Sequence, residues 1–354
     1  MVRLPREFKD AAKDFVAVRV VNMLGVDLST FVFDYDLTFA ILLMNADGTV
    51  YHRYGTRDHR SSTDRMSVAA LVRVMKGTLE DHRDYVASGV VRSATAVETV
   101  EQMPPMRRRL EKKAESCAHC HTVNDMRHEM AVESKSFDRA SIWRWPLPEV
   151  AGFELDFGDP ERVKAVAPKS PAAAAGFEPG DRLVKLGGQR IRSEADVQWV
   201  FHNAAPGATA IAFVSRRGQK RRDGRLELPA DWKVGTPLTF SWRPSMWPLD
   251  PNPGFGGEVL DALALEKLGL PPKSFALRVD YIIDWGERAA LGRNAKEAGV
   301  RKGDVVLSVD EERDFRDGRH FQAWFRLTRK AGAVARLEIM RGKERMNLKL
   351  PILP

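Results

Sequence analysis

At 354 residues with 44% hydrophobic content, the chain is long enough for about two or three domains with ordinary cores. It holds no run of about 18 apolar residues, which excludes a transmembrane helix. The net charge of +8 raises the question of a nucleic-acid surface. The basic runs read instead as solvated surface: Arg107–Arg109 with Lys112 and Lys113 is mixed with Glu111 and Glu115, and Arg216, Arg217 and Lys220–Arg222 have the look of an exposed hairpin tip.

The opening MVRLPREFKDAAKDF is charged and lacks an apolar core, so it does not read as a secretory signal peptide. Phe15–Met23 (FVAVRVVNM) predicts a strand. Thr38–Met44 predicts a buried central strand, and Thr49–Tyr54 returns beside it after an Asp47-Gly48 hairpin turn. Met66–His82 predicts an amphipathic helix, with Val68, Leu71, Val72, Met75 and Leu79 at helical spacing. This order, and FAILLMNADGTVYHRYG above all, resembles the C-terminal two-thirds of a thioredoxin fold. Two features depart from that family. No C-x-x-C precedes Phe15, and no proline stands in Asp36-Leu37-Thr38. Either the opening β-α unit of such a fold has been cut off or the domain is degenerate, and with no thiol of its own this segment reads as a structural platform.

Cys117-Ala118-His119-Cys120-His121 contains the only two cysteines. C-x-x-C-H reads as a c-type haem attachment site. Two thiols at this spacing add across the two vinyl groups of one porphyrin, and His121 then lies under the iron. Met103 and Met130 are candidates for the opposite face, and Met130 is taken with His121 as the metal-ligand set. Zinc held by Cys117, Cys120, His121 and His128 is an alternative, as is a dithiol/disulfide pair. Haem c implies a periplasmic or otherwise extracytoplasmic location. The absent signal peptide conflicts with that unless the N-terminus is incomplete. Trp143, Trp145, Pro146 and Leu147 read as packing for the segment that follows.

The second half repeats itself. SPAAAAGFEPGDRLVKL at Ser170–Leu186 recurs as NAKEAGVRKGDVVLSV at Asn294–Val309. Each copy has a short helix ending in Ala-Gly, a Gly-Asp turn, then a strand. The pattern S-P-A-x-x-A-G-Φ-x-x-G-D-x-Φ closely resembles the PDZ domains of HtrA-type bacterial proteases. The resemblance implies a groove between a strand and a helix that takes polypeptide C-termini or extended peptides by strand addition. It places Gly152, Phe153, Glu154 and Leu155 in the first carboxylate loop and groove strand, with Val197 and Phe201 on the helix. Phe275, Leu277 and Phe321 are their counterparts in the second copy. Val197 and Phe321 read equally as groove or core; Val200 and Phe325 read as core. Nothing matches the serine protease domain of that family, which argues against protease activity.

The fold class expected is a multidomain α+β chain: a partial thioredoxin-like α/β domain followed by two PDZ-like β-barrel or sandwich domains. The domains run 1–100 (thioredoxin-like), 101–148 (the C-x-x-C-H segment), 149–232 (first PDZ), 233–256 (a Pro/Trp-rich linker) and 257–354 (second PDZ). The function expected is a polypeptide-binding adaptor carrying haem c, with a redox partner. A thiol-disulfide oxidoreductase and a zinc-bearing scaffold are the alternatives.

Overall fold

The computed structural model describes residues 5–90, 92–93, 96–112 and 117–354. The chain divides into two compact units, Met1–Gly235 and Thr236–Pro354. Among the described residues, no helix is long and apolar enough to cross a membrane.

The first unit opens with α1 (Arg6–Ala12). Residues 15–23 form no strand, contrary to expectation. Val16, Val18 and Val21 are largely exposed and only the ends of the run, Phe15 and Met23, pack on apolar clusters, so this β-prone run finds no ladder partner. The first hairpin pairs β1 (Ile41–Met44) with β2 (Val50–Tyr54), Leu43 opposite His52. Its turn is closed by Asn45 N donating to Thr49 O at 2.8 Å, and Gly48 takes a φ of 87° that favours glycine. Helix α2 (Val68–Ser88) begins where the Ser67 side chain caps Ala70 N and ends at Gly89 in the left-handed region. Helices α3 (Pro104–Glu111) and α4 (Cys120–Glu133) follow. Two strands and a long helix are all that the thioredoxin-like expectation finds as regular structure in residues 15–90.

The rest of this unit is the first copy of the repeat. Strand β3 (Phe153–Leu155) pairs with β4 (Val163–Val166). Then come α5 (Pro171–Ala174), β5 (Arg182–Leu186), β6 (Gln189–Arg190), α6 (Glu194–Asn203), β7 (Thr209–Arg217) and β8 (Lys220–Leu228). The larger sheet runs β6-β5-β7-β8. Its core gathers Phe153, Phe177, Leu183, Val197, Phe201 and Phe213.

The second unit begins with α7 (Pro237–Phe240). Residues 233–256, expected as a linker, contribute buried Phe240, Trp242, Met246 and Leu249. The Pro/Trp composition that suggested a linker therefore supplies packed apolar surface instead. Next come β9 (Phe255–Val259), α8 (Ala262–Lys267), β10 (Leu277–Ile282), α9 (Ala289–Glu297), β11 (Val305–Val309), α10 (Gly318–Thr328), β12 (Val334–Arg341) and β13 (Glu344–Pro351). One antiparallel sheet runs β13-β12-β11-β10-β9, leaving β9 at its edge.

The repeat is visible in matching hydrogen bonds. Val163 N donates to Asp181 O and Gly180 N to Val163 O, both at 2.8 Å; Val279 N donates to Asp304 O and Gly303 N to Val279 O, again at 2.8 Å. Arg217 Nε donates to Asp181 Oδ1 at 2.7 Å and Nη2 to Gly176 O at 2.9 Å. Arg341 Nε donates to Asp304 Oδ1 at 2.8 Å and Nη2 to Gly299 O at 2.7 Å. In each copy one guanidinium ties the Gly-Asp turn to the helix C-terminal glycine by charge-assisted bonds.

Candidate functional site

Helix α4 starts at Cys120 because His119 is extended and Thr122 folds back, its hydroxyl accepting from His119 N at 3.2 Å. Cys117 is exposed and Cys120 half-buried, and both are free thiols. Cys120 rests on a cluster that includes Phe33, Met103, Met106, Val123 and Met126, and burial pushes its thiol up. His121 is 46% exposed, with Nδ1 at 3.3 Å from Asp125 Oδ2 one turn on. Burial raises the Asp125 carboxyl, against the pull of His121. An Nδ1–carboxylate contact orients an imidazole and leaves Nε2 for a metal. The two thiols and this imidazole therefore fit the attachment chemistry of haem c.

Met130 does not fit with them. It lies nine residues beyond His121 on one continuous helix, a rise of about 13.5 Å. At that separation on a single helix His121 and Met130 could not hold one iron between them, contrary to the expected pairing. Met103, Met106 and Met126 are buried in the core. His128, seven residues along α4 from His121, packs edge-on against Phe137 at 4.6 Å. Among the described residues, no group of three or more His, Cys, Asp or Glu is placed to hold a metal ion. Lys113–Ser116, beside the motif, lie outside the described residues.

The residues expected in the first peptide groove are mostly core. Phe153 is 1% exposed, and Leu155, Val197 and Phe201 are 0%. Gly152 turns the chain at φ 85°, where an added Cβ would strike the Ser170 side chain. Glu154 is partly exposed beside Lys164. In the second unit Leu277 and Phe321 are fully buried and Phe275 nearly so. On α6, the spacing of Val197 and Phe201 is the spacing of the core face.

One flank of α6 is covered by Trp145. Its carbonyl accepts from Gln198 Nε2 at 2.8 Å, and its ring stacks on His202 at 4.7 Å. The N-terminal turn of α6 is buried against residues 51–65. Asp196, 0% exposed, accepts from Arg53 N at 3.0 Å and meets His52 Nδ1 at 2.9 Å; His52 Nε2 meets Asp81 Oδ2 at 2.7 Å. Arg192 adds two further bonds to Asp81. Beside this, buried Arg65 joins Glu194 Oε1 at 2.8 Å, Glu149 Oε1 at 2.6 Å and Asp58 Oδ2 at 3.2 Å. Burial, outweighing Arg65, raises the Glu194 carboxyl to about 7. Sequence reasoning assigned no role to these charged residues. The partners are up to 144 positions apart, and no local pattern joins them.

Residues 162–214 match the PDZ domain family. The PDZ match runs from the residue before β4 into β7. A protein named "Putative zinc metalloprotease" from Brucella suis biovar 1 (strain 1330) is 51% identical over 43 residues, covering 12% of this chain and 11% of that protein. A protein of the same description from Brucella melitensis biotype 1 gives the same figures. The chain thus spans about a tenth of the length of these relatives.

Proposed function

We propose that this chain is a polypeptide-binding adaptor that carries a covalent haem c. The PDZ match at 162–214 carries the first half of that reading, since PDZ domains take extended peptides and C-terminal carboxylates. The haem half rests on Cys117, Cys120 and His121 at the start of α4. A thioredoxin-like ancestry for the N-terminal segment, a PDZ-type second module and a place outside the cytoplasm belong to the same proposal.

Haem c, when bound, supplies one-electron chemistry. The chain's own residues do the rest. Exposed Cys117 and half-buried Cys120 would offer the two thiols, and Asp125, in contact with Nδ1, would orient the His121 ring. Any second ligand would have to be supplied from outside α4, since Met130 lies too far along it from His121.

The test uses the full chain expressed where haem-attachment machinery acts. Denaturing mass spectrometry should show a haem adduct that Cys117→Ala abolishes. Binding of peptides with a free C-terminus should be retained in that variant. An unmodified mass with an intact fold would sink the haem reading and leave zinc or dithiol chemistry, which a metal assay with thiol titration separates. Failure of all peptides to bind would sink the adaptor reading separately.

A further inference from the structure

In the second unit the route by which a PDZ groove accepts a strand is closed. Edge strand β9 has α10 lying directly against it. Gln322 Nε2 donates to Phe255 O at 2.8 Å, capping an edge carbonyl. A Cβ on Gly318 would lie only 2.8 Å from Gly257 O. Beyond Gln322, however, a cavity of about 480 Å³ opens. That size suits a small molecule.

Three half-exposed aromatic rings line it: Trp247, Tyr281 and Trp285, with exposures of 39%, 39% and 57%. Two guanidiniums line it as well. Arg326 is 1% exposed, bonded through Nη1 to Gln322 and lying 5.4 Å from the Trp247 ring. Arg288 is fixed by Trp247 O at 2.8 Å and Asp250 Oδ2 at 3.1 Å. Glu287, exposed, is the one carboxylate among the lining residues. Burial, and then the charge of Arg288, push the Arg326 guanidinium down to about 9. The nearby Asp250 carboxylate offsets this in part. Planar guanidiniums match a carboxylate, and the aromatic faces match a flat apolar group.

We propose that this cavity binds a small carboxylate bearing an aromatic or branched apolar group. Arg288 takes the carboxylate, with the buried Arg326 behind it, the three rings take the apolar part, and no strand is added to β9. The site goes beyond the adaptor reading and stands whether or not residues 162–214 bind peptide.

The test is calorimetric titration of the full chain with N-acetyl-L-phenylalanine, its amide, and a hexapeptide ending in the same free residue. The acid should bind, and the amide should bind roughly tenfold more weakly or worse, as loss of a charged hydrogen bond dictates. The hexapeptide should bind no tighter than the acid. Arg288→Gln and the exposed Trp285→Ala should each weaken the acid roughly tenfold, with circular dichroism unchanged. Absence of saturable binding overturns the proposal, as does equal affinity for acid and amide. So does binding indifferent to both variants, which places the acid elsewhere, for example at residues 162–214. Affinity rising tenfold or more with peptide length restores strand addition and likewise overturns it.

Discussion

Asp58 shows how a single residue carries a pH dependence. Burial alone would raise its carboxyl, but Arg60, the backbone N–H groups of Arg60 and Ser61, and Arg65 outweigh burial and hold it at about 2. A depressed carboxyl contributes stability that is fully present above its ordinary value of 3.8 and is lost as pH falls toward 2. The contribution is about 1 kcal/mol after solvent screening. Urea unfolding between pH 5 and about 2.5 should show it, and Asp58→Asn should flatten that part of the acid slope. An unchanged slope would show that Asp58 is unimportant. Glu194 works in the opposite sense. Its raised carboxyl costs stability as pH rises from 4.5 to about 7. Neither behaviour was legible in the sequence. DHRSSTDR and SEAD look like ordinary loop and helix-cap residues, and only burial gives them their charge problem.

At the scale of elements, the repeated turn was legible and its lock was not. Gly180-Asp181 and Gly303-Asp304 announce a turn wherever they stand. Arg217 and Arg341 reach those aspartates from the end of strands tens of residues later. The two copies differ in one respect. Arg222 also reaches Asp181 and Gly176 O, whereas Arg341 alone pairs with Asp304 among the described ion pairs. Asp304 is 1% exposed. Arg341→Ala should therefore destabilise the second unit by about 2 kcal/mol, the cost of leaving a buried carboxylate without its cation. Arg217→Ala should cost the first unit less, since Arg222 remains. Denaturant midpoints decide this, and the reverse order would show that Arg222 is no substitute. The hairpin at Asn45–Gly48 and helix α2 likewise followed from local chemistry. The expected strand at Phe15–Met23 failed for the complementary reason: β-branched residues favour a strand only where a neighbour completes the ladder.

At the scale of the whole chain, the division at Gly235 makes a prediction about fragments. The buried apolar clusters of the second unit draw only on residues 255–352 and 260–340. Residues 236–354 alone should unfold cooperatively with a near-unchanged midpoint. A fragment of 149–235 should be much less stable, although the sequence placed a domain boundary before Glu149. Removing residues 5–148 strips His52, Arg53 and Arg65 from Asp196 and Glu194, which are 0% and 4% exposed. Uncompensated carboxylates at a former interface cost several kcal/mol or force repacking. Equal stability of that fragment and the complete unit would refute the buried network as a structural requirement.

The sequence by itself determined what depends on near neighbours. It gave away the C-x-x-C-H spacing, the Asp-Gly hairpin, and the Gly-Asp turns of two copies, one of which matches the PDZ family. The tertiary structure alone decided what depends on packing between distant segments. It put Val197, Phe201 and Phe321 in the core, carried Met130 away from His121 along one helix, and closed β9 with Gln322. It also buried His52 between Asp81 and Asp196. The physical reason is that helical spacing marks an apolar face without saying what covers it. Likewise, the sign of a charge does not reveal whether water or another part of the chain will solvate it.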